Sequence, residues 1–574
     1  MTSDGVELFF RQWKSIVDAP ERVIVLFHRG HEHSGRLQHI VDELTMPKTA
    51  FYAWDARGHG LSPGERGYSP SLARSVQDVD EFVKFVAADA GVAVEEIVVI
   101  AQSVGAVTVA TWVHDYAPKI RGMILASPAF KVKLYVPFAR TGLAIMKRMH
   151  GLFYVNSYVK GKYLTHDPER VESFEDDALI SRPIAVNILL DLYKTAERIV
   201  ADAQAITVPT QLLISGDDFV VHRQPQLSFY QGLRSVVKEK HILPGFYHDT
   251  LGEKDREIVV EKMRSFIEVL YTAPQHIFDY SREERFSPGA DAWRELQAPP
   301  SPYSLTGLGY RLLRYGMNTL GRLSKGIQIG FETGFDSGSM LDYVYRNTPE
   351  GEGIIGRAID RNYLNSIGWK GIRVRKTHIQ QMILKGVEQL QARNMPVRIV
   401  DIAAGHGRYV LDALGHVEGI EHILLRDYSE LNVTQGQQKI AERNLQHLAT
   451  FELGNAFDFR QLASLAPVPT LGIVSGLYEL FPENADIERS LAGLAAAIPE
   501  GGVLVYTGQP WHPQLNTIAW TLTSHRNGIP WLMRVRTQGE MDSLVEAAGF
   551  KKCSQLIDED GIFTVSLAVR KAHV

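Results

Sequence analysis

The chain has one cysteine, Cys553, in 574 residues, which excludes a disulfide framework and a cysteine-ligated zinc site. No uninterrupted apolar run approaches the roughly 20 residues needed to span a bilayer. Met1-Thr2-Ser3-Asp4-Gly5 lacks the basic region and apolar core of a signal peptide, so a reducing, cytoplasmic setting is the default expectation. Strong charge of either sign is also missing. The formal net charge is −5, which gives no electrostatic reason to expect nucleic-acid binding. Acidic residues are absent from two local stretches, residues 131–162 and 303–330.

The length exceeds what one hydrophobic core supports, so two or more domains are expected. In the first half, apolar strand-length runs (Val6 to Trp13, Arg22 to His28, Phe51 to Asp55, Glu96 to Ile100, Ile120 to Ser127, Val208 to Ser215) alternate with helical periodicity at Ser71 to Ala90 and Ala106 to Tyr116. That alternation predicts a mainly parallel α/β sheet.

The run ending at Ile100 breaks into Ala101-Gln102-Ser103-Val104-Gly105, and an apolar helix follows at once. A sharp turn between strand and helix can hold a serine out of the backbone as a nucleophile. Gly60-Leu61-Ser62-Pro63-Gly64 is the better match to G-x-S-x-G. However, the residue after the nucleophile must lend an N–H to the oxyanion, and Pro63 has none. Ser62 also lacks a following apolar helix, so Ser103 is preferred. A serine nucleophile needs a base and an orienting acid, in the order Ser, acid, His for hydrolases of this type. Gln211 to Val221 is a strand running into Asp217 and Asp218, and His248 follows the Pro244-Gly245 turn.

His28-Arg29-Gly30-His31-Glu32-His33-Ser34-Gly35-Arg36, Trp54-Asp55-Ala56-Arg57-Gly58-His59-Gly60-Leu61-Ser62 and the turn at Ser103 together resemble α/β-hydrolases of the monoacylglycerol lipase and lysophospholipase type. The resemblance implies Ser103 as nucleophile, Asp218 as acid and His248 as base, with the Gly30 and Val104 N–H groups as oxyanion hole. It implies Asp218 rather than Asp217 because the family's acid stands two residues before a pair of apolar residues, here Val220-Val221. Arg29 stands where a small residue is usual. His31, His33 and His59 read as loop-packing residues, and no metal is expected.

Residues 129–206 read as a helical cap. From Lys131 to Lys162 within it, Lys133, Arg140, Lys147, Arg148 and Lys160 are mixed with Leu134, Tyr135, Phe138, Ile145, Met146 and Phe153, and no acidic residue occurs. Basic and apolar residues without acids suit peripheral contact with an anionic membrane at its inner face, or a solvated cap with its apolar side on the active site. Either favours a small lipid-like ester over a peptide.

Tyr271 to Pro302 loses periodicity and collects five prolines, which reads as a linker. A basic, glycine-rich segment of helical spacing, Tyr303 to Gly330, and a helix from Thr377 to Arg393 follow. The strand Val397 to Asp401 then breaks into Ile402-Ala403-Ala404-Gly405-His406-Gly407, and about 20 residues on, a second strand ends in Asp427, placed to bind ribose hydroxyls. The acidic start, the D-x-A-x-G-x-G spacing and an expected hairpin from Cys553 to Ile557 and Ile562 to Val569 favour S-adenosylmethionine over a dinucleotide. This half resembles class I S-adenosylmethionine-dependent methyltransferases. Matching positions are Asp401, Gly405 and Gly407 around the methionine part, Asp427 on the ribose, Asn455 and Ala456 by the adenine, and Ser475 facing an unknown methyl acceptor. Tyr478, Glu479, Trp511, His512, His525 and Arg526 are candidates for the acceptor side.

The expected architecture is an α/β-hydrolase fold with its cap (residues 1–272), a linker and helical connector (273–338), and a Rossmann-like class I methyltransferase fold (339–574). The expected function is a bifunctional enzyme, a serine ester hydrolase joined to a methyltransferase. The alternatives are an acyltransferase with the same triad, or a hydrolase whose C-terminal domain only binds a ligand.

Overall fold

The computed structural model describes every residue except 18, 137, 573 and 574. The chain divides into two compact units, Met1–Phe278 and Asp279–Val574. Among the described residues, no helix is long and apolar enough to cross a membrane.

The first unit is built on a seven-stranded sheet. Its strands are β1 (Phe10–Trp13), β2 (Arg22–Phe27), β3 (Thr49–Trp54), β4 (Ile97–Gln102), β5 (Gly122–Ala126), β6 (Thr210–Ser215) and β7 (Lys238–Leu243), in the order β1-β3-β2-β4-β5-β6-β7. Only β1 runs antiparallel to its neighbour. Every residue of β4 and β5 is buried, because helices cover both faces; such strands read as continuous apolar runs rather than as alternations. Helix α1 (Leu72–Ala90) is capped by Ser71, whose side chain accepts from Arg74 N–H. Helix α2 (Val104–Tyr116) is buried from Ala106 to Tyr116. Its apolar surface runs all the way round, which only a fully packed helix tolerates.

Between β5 and β6 lie α3 (Ala139–His150), α4 (Pro168–Asp176) and α5 (Val186–Ala201). Helix α3 has no buried residue. Helix α5 is tied to α2 by a buried two-pronged pair, Arg198 to Asp115, at 2.6 and 2.8 Å. Helix α6 (Glu257–Thr272) closes the unit, burying Val259, Val260, Met263, Phe266, Ile267 and Leu270 at helical spacing.

The second unit begins with structure where the sequence reads as a linker. Glu283–Phe286 and Pro288–Leu296 are helical. Pro288 occupies the first turn, where its missing N–H costs nothing, and Ser287 caps Ala290 N–H. Helices α7 (Leu305–Asn318) and α8 (Gly338–Arg346) follow. Helix α9 (Ile367–Ala392) starts ten residues before the expected Thr377. Its early turns are held by tertiary packing, as Trp369 and Ile372 cluster with Met340, Tyr343, Val344 and Phe563.

The second sheet comprises β8 (Val397–Asp401), β9 (Ile420–Asp427), β10 (Ala449–Leu453), β11 (Leu471–Val474), β12 (Val503–Gly508), β13 (Phe550–Ile557) and β14 (Thr564–Arg570). Their order is β10-β9-β8-β11-β12-β14-β13. The first five strands in this order are parallel, and β14 pairs antiparallel with β12 and β13. Strand order reverses between β8 and β11, which opens a crevice beyond their carboxyl ends. Ile379, Met382, Ile383, Val387 and Leu390 of α9 pack on one face of this sheet. The unit is a methyltransferase-like α/β fold, and the first is an α/β-hydrolase fold.

Candidate functional sites

Ser103 joins β4 to α2 at φ +55° and ψ −115°, a strained conformation for a residue with a Cβ. Neighbouring backbone holds it there. Ser103 N–H donates to Ala126 O at 2.9 Å, and Ser103 O accepts from Ala129 N–H at 3.1 Å. Two residues on, a Cβ at Gly105 would lie 2.4 Å from His28 O. Only glycine lets α2 start so close to the end of β2.

Ser103 Oγ lies 2.7 Å from His248 Nε2, and His248 Nδ1 lies 2.7 Å from Asp218 Oδ2. All three side chains are buried. Asp218 Oδ1 accepts from Val220 and Val221 N–H at 2.7 and 2.9 Å. The partners assign the imidazole tautomer: Nδ1–H donates to the carboxylate, which leaves the Nε2 lone pair facing the Ser103 hydroxyl. Burial works against the charge on Asp218, but His248 and the two N–H groups outweigh it and lower its pKa below the usual carboxylate value. Asp217 is exposed and accepts from Gly245 N–H at 3.0 Å. Gly30 stands against Val104: a Cβ on Gly30 would be 3.2 Å from Val104 Cγ2.

Support for His248 comes from residues that motif reading did not single out. Gln102 Nε2 donates to His248 O and to Asp249 Oδ1, both at 3.2 Å. Asp249 Oδ2 accepts from Arg170 of α4 at 3.1 and 2.9 Å. Burial opposes the Asp249 charge, yet Arg170 and Arg29 hold its pKa far below the ordinary range. Arg29 pairs with Glu32 of its own loop at 2.8 Å and lies over the Phe174 ring. No spacing rule links positions 170 and 249, so only the fold reveals this pair.

Ser62, the better string match, donates its hydroxyl to Asp55 O at 2.5 Å and accepts from Phe9 N–H at 2.9 Å, so it braces a loop. His31 is bonded to Ser181 O, His33 to Asp177 at 3.0 Å and His59 to Arg57 O at 3.0 Å. Phe219, next to Asp218, packs edge-on against Tyr247, next to His248, and at a tilt against Tyr163 of the cap.

The second site is a crevice of about 930 Å³ beyond β8 and β11. Gly405, Gly407, Asp427, Asn455, Ala456 and Ser475 line it. Gly405 (φ +57°) and Gly407 (φ +68°) adopt left-handed backbone, and Gly407 N–H closes the turn onto Ala404 O at 2.8 Å. Asp427, at the end of β9, accepts from Gly405 N–H, Ser429 N–H and Asn432 Nδ2, each at 3.0 Å. Burial pushes its pKa up. Asp401 lies behind the turn rather than in the crevice wall, bonded to Tyr409 Oη and to Ala403 N–H. Burial, with Asp427 nearby, pushes it up to about 7.

Gly338, Asp342, Arg375 and Tyr428, which no motif marks, also line this crevice. They come from helices and loops remote from the glycine turn. Of the acceptor-side candidates, Tyr478 is a core residue bonded to Ser490 Oγ, and His525 is paired with Asp336. Glu479 and His512 line a separate, apolar cavity.

Comparison with known proteins bears on both halves. The family described as "Putative methyltransferase" matches residues 263–570, more than half of the chain, and the family described as "Serine aminopeptidase, S33" matches residues 18–255. Uncharacterized protein YnbC of Escherichia coli is 65% identical over 570 residues, covering 99% of this chain and 97% of its own. Phospholipase YtpA of Bacillus subtilis is 26% identical over 260 residues, covering 44% of this chain and 97% of its own. Monoacylglycerol lipase of Mycolicibacterium smegmatis is 26% identical over 267 residues, covering 46% and 93%. The chain therefore joins a lipase-like α/β-hydrolase to a methyltransferase domain, and belongs to the family described as "Putative methyltransferase".

Proposed function

We propose that the first unit is a serine hydrolase of lipid-like acyl esters and the second an S-adenosylmethionine-dependent methyltransferase. The hydrolase reading is carried by one observation, the unbroken chain Ser103 Oγ, His248 Nε2, His248 Nδ1, Asp218 Oδ2 with 2.7 Å at each contact. Ser103 Oγ attacks the ester carbonyl while His248 Nε2 takes its proton. The Gly30 and Val104 N–H groups receive the oxyanion, and His248 returns the proton to the leaving alkoxide. Water, activated by the same His248, then releases the acid. The aromatic rings of Phe219 and Tyr247, each next to a triad residue, and the lipase-type relatives favour an apolar acyl group. Chromogenic esters of rising chain length, with Ser103→Ala beside them, test this; equal hydrolysis by both proteins refutes the assignment.

The cap supports contact with an anionic lipid surface. Phe138 and Met149 are 88% and 71% exposed, on a segment whose charged residues are basic. Flotation with phosphatidylglycerol vesicles tests this, and protein left at the bottom of the gradient refutes it.

For the second unit, the residues present fit an S-adenosyl group. The bare backbone at Gly405 admits close approach, and Asp427, which already accepts three hydrogen bonds, keeps one acceptor position on Oδ2 for a ribose hydroxyl. Asn455 and Ala456 would flank the adenine, with Ser475 toward the acceptor. Asp401 acts through Ala403 and Tyr409 by bracing the turn. S-adenosylmethionine, when bound, supplies an electrophilic methyl group on a sulfonium. Calorimetry with S-adenosylhomocysteine on wild type and Asp427→Ala tests this reading; no binding to wild type removes it.

A further inference from the structure

Resting on the methyltransferase reading, we infer that the apolar cavity beside the cofactor crevice is the methyl-acceptor site, and that it takes an apolar molecule presenting a phenol-type hydroxyl to Arg375 and Glu479. The cavity has a volume of about 660 Å³, within the range of small-molecule sites. It and the crevice share Asp336, Leu341, Arg375, Gly476 and Leu480 as walls. Gly476 follows β11, so the two spaces meet at the switch point where a transferred group must cross.

The wall chemistry selects the ligand. Trp369 and Trp531 stack with ring centres 6.1 Å apart, and Phe563 and Tyr363 join them in the lining. Such rings favour a planar, apolar body. Leu312 and Leu320, which are 62% and 68% exposed, border the cavity, so an apolar molecule meets an apolar rim.

Against this lining stand a few polar groups. Arg375 is 3% exposed and its Nε–H, buried, has no partner among the described residues. A buried guanidinium N–H without an acceptor costs free energy, so the site is completed by an oxygen atom. Among the described residues the Glu479 carboxylate makes one long contact, 3.4 Å to Arg375, and so has free acceptor capacity. Asp336 is more heavily engaged, its oxygens taking Ser524 Oγ–H and His525 N–H, each at 2.6 Å, with His525 Nδ1 2.8 Å away. His512 is also engaged, its Nδ1 accepting from Gln514 N–H. Burial lowers its pKa to about 4, and the remaining nitrogen carries the proton.

A hydroxyl satisfies Arg375 and Glu479 together, because its oxygen accepts from Arg375 and its proton is donated to Glu479. A carboxylate would instead set a second anion beside one guanidinium. A phenol-type hydroxyl, with a pKa of about 10, is acidic enough for a carboxylate to assist. In the step, the hydroxyl oxygen bonds to the methyl carbon as that carbon's bond to the donor sulfur breaks. The electron pair stays on sulfur, and the proton passes to Glu479.

The experiment is calorimetry of the full chain, loaded with S-adenosylhomocysteine, against 4-heptylphenol and octanoate, with a radiolabelled methyl-transfer assay on 4-heptylphenol. Wild type should bind 4-heptylphenol at least about tenfold more tightly than octanoate. Leu312→Trp and Met317→Trp, which fill the cavity, should each weaken it about tenfold with S-adenosylhomocysteine affinity unchanged. Glu479→Gln should bind the phenol but transfer methyl about 100-fold more slowly. Tighter octanoate binding, indifference to both filling variants, or full transfer by Glu479→Gln overturns the inference. If S-adenosylhomocysteine fails to bind wild type, the cofactor reading fails instead, and the phenol titration still decides the cavity.

Discussion

Replacing Asp218 by Asn keeps the shape of the site but should reverse its proton order. In the wild type Asp218 Oδ1 accepts two backbone N–H groups, from Val220 and Val221, while Oδ2 accepts from His248 Nδ1–H. An asparagine has one oxygen. The two fixed N–H donors will claim it, which turns the amide NH₂ toward His248 Nδ1. The imidazole must then carry its proton on Nε2, where it faces the Ser103 hydroxyl 2.7 Å away and cannot accept from it. The same inversion in a serine protease lowers kcat about 10⁴-fold, equal to about 5.4 kcal/mol in the barrier. We expect that magnitude for Asp218→Asn in kcat on a chromogenic acyl ester at neutral pH, with KM little changed. Asp217→Asn is the matched control. Asp217 is exposed and its recorded bond is to Gly245 N–H, so hydrolysis should stay within about twofold, as for other surface changes. A loss below about tenfold in Asp218→Asn, or an equal loss in Asp217→Asn, would refute the tautomer argument.

Gly105→Ala forces a Cβ to 2.4 Å from His28 O, so the turn must move; a loss of about 1–3 kcal/mol in stability and about 100-fold in labelling of Ser103 by a fluorophosphonate is expected. Arg170→Met leaves Asp249 buried with Arg29 as its remaining cation, 3.9 Å away, and should cost about 3 kcal/mol by calorimetry at pH 7. Because the Asp249 pKa is depressed when folded, its contribution is present above the unfolded value of 3.8 and lost as pH falls, so the variant should destabilise less steeply in acid than wild type. Asp401 behaves oppositely. Raised to about 7, it keeps its proton when folded but loses it when unfolded above 3.8. Stability should therefore fall as pH rises from about 4 to 7, by roughly 4 kcal/mol. Thermal midpoints of wild type and Asp401→Asn that show parallel pH dependence would contradict this.

Much of the local structure is written in the sequence, because it depends on periodicity and on the chemistry of single residues. Buried strands such as Ile97–Gln102 are legible as apolar runs bounded by turns, and the preference for Ser103 over Ser62 follows from the missing N–H of Pro63. The glycine turn at Gly405 and Gly407 is legible for the same reason, since left-handed backbone favours one residue type. Choosing Asp218 over Asp217 needed family resemblance, because two adjacent carboxylates at a strand end look alike until the loop shows which one turns inward.

What depends on sequence-distant partners was decided by the tertiary structure. The prolines of residues 273–302 suggest an open linker, yet Pro288 begins a helix. The first ten residues of α9 lack a helical signal of their own and are held by Phe563 and its neighbours. Asp401 reads like a ligand-facing carboxylate, but the fold turns it onto Tyr409. Arg170 finds Asp249, and Arg375 finds Glu479 across 104 residues, through side chains that no local pattern pairs. The sequence by itself determined where a serine and a glycine turn can stand, because those are properties of short segments. Which charges meet behind them, and which cavity opens beside them, was settled only when sheet order brought distant segments within hydrogen-bonding reach.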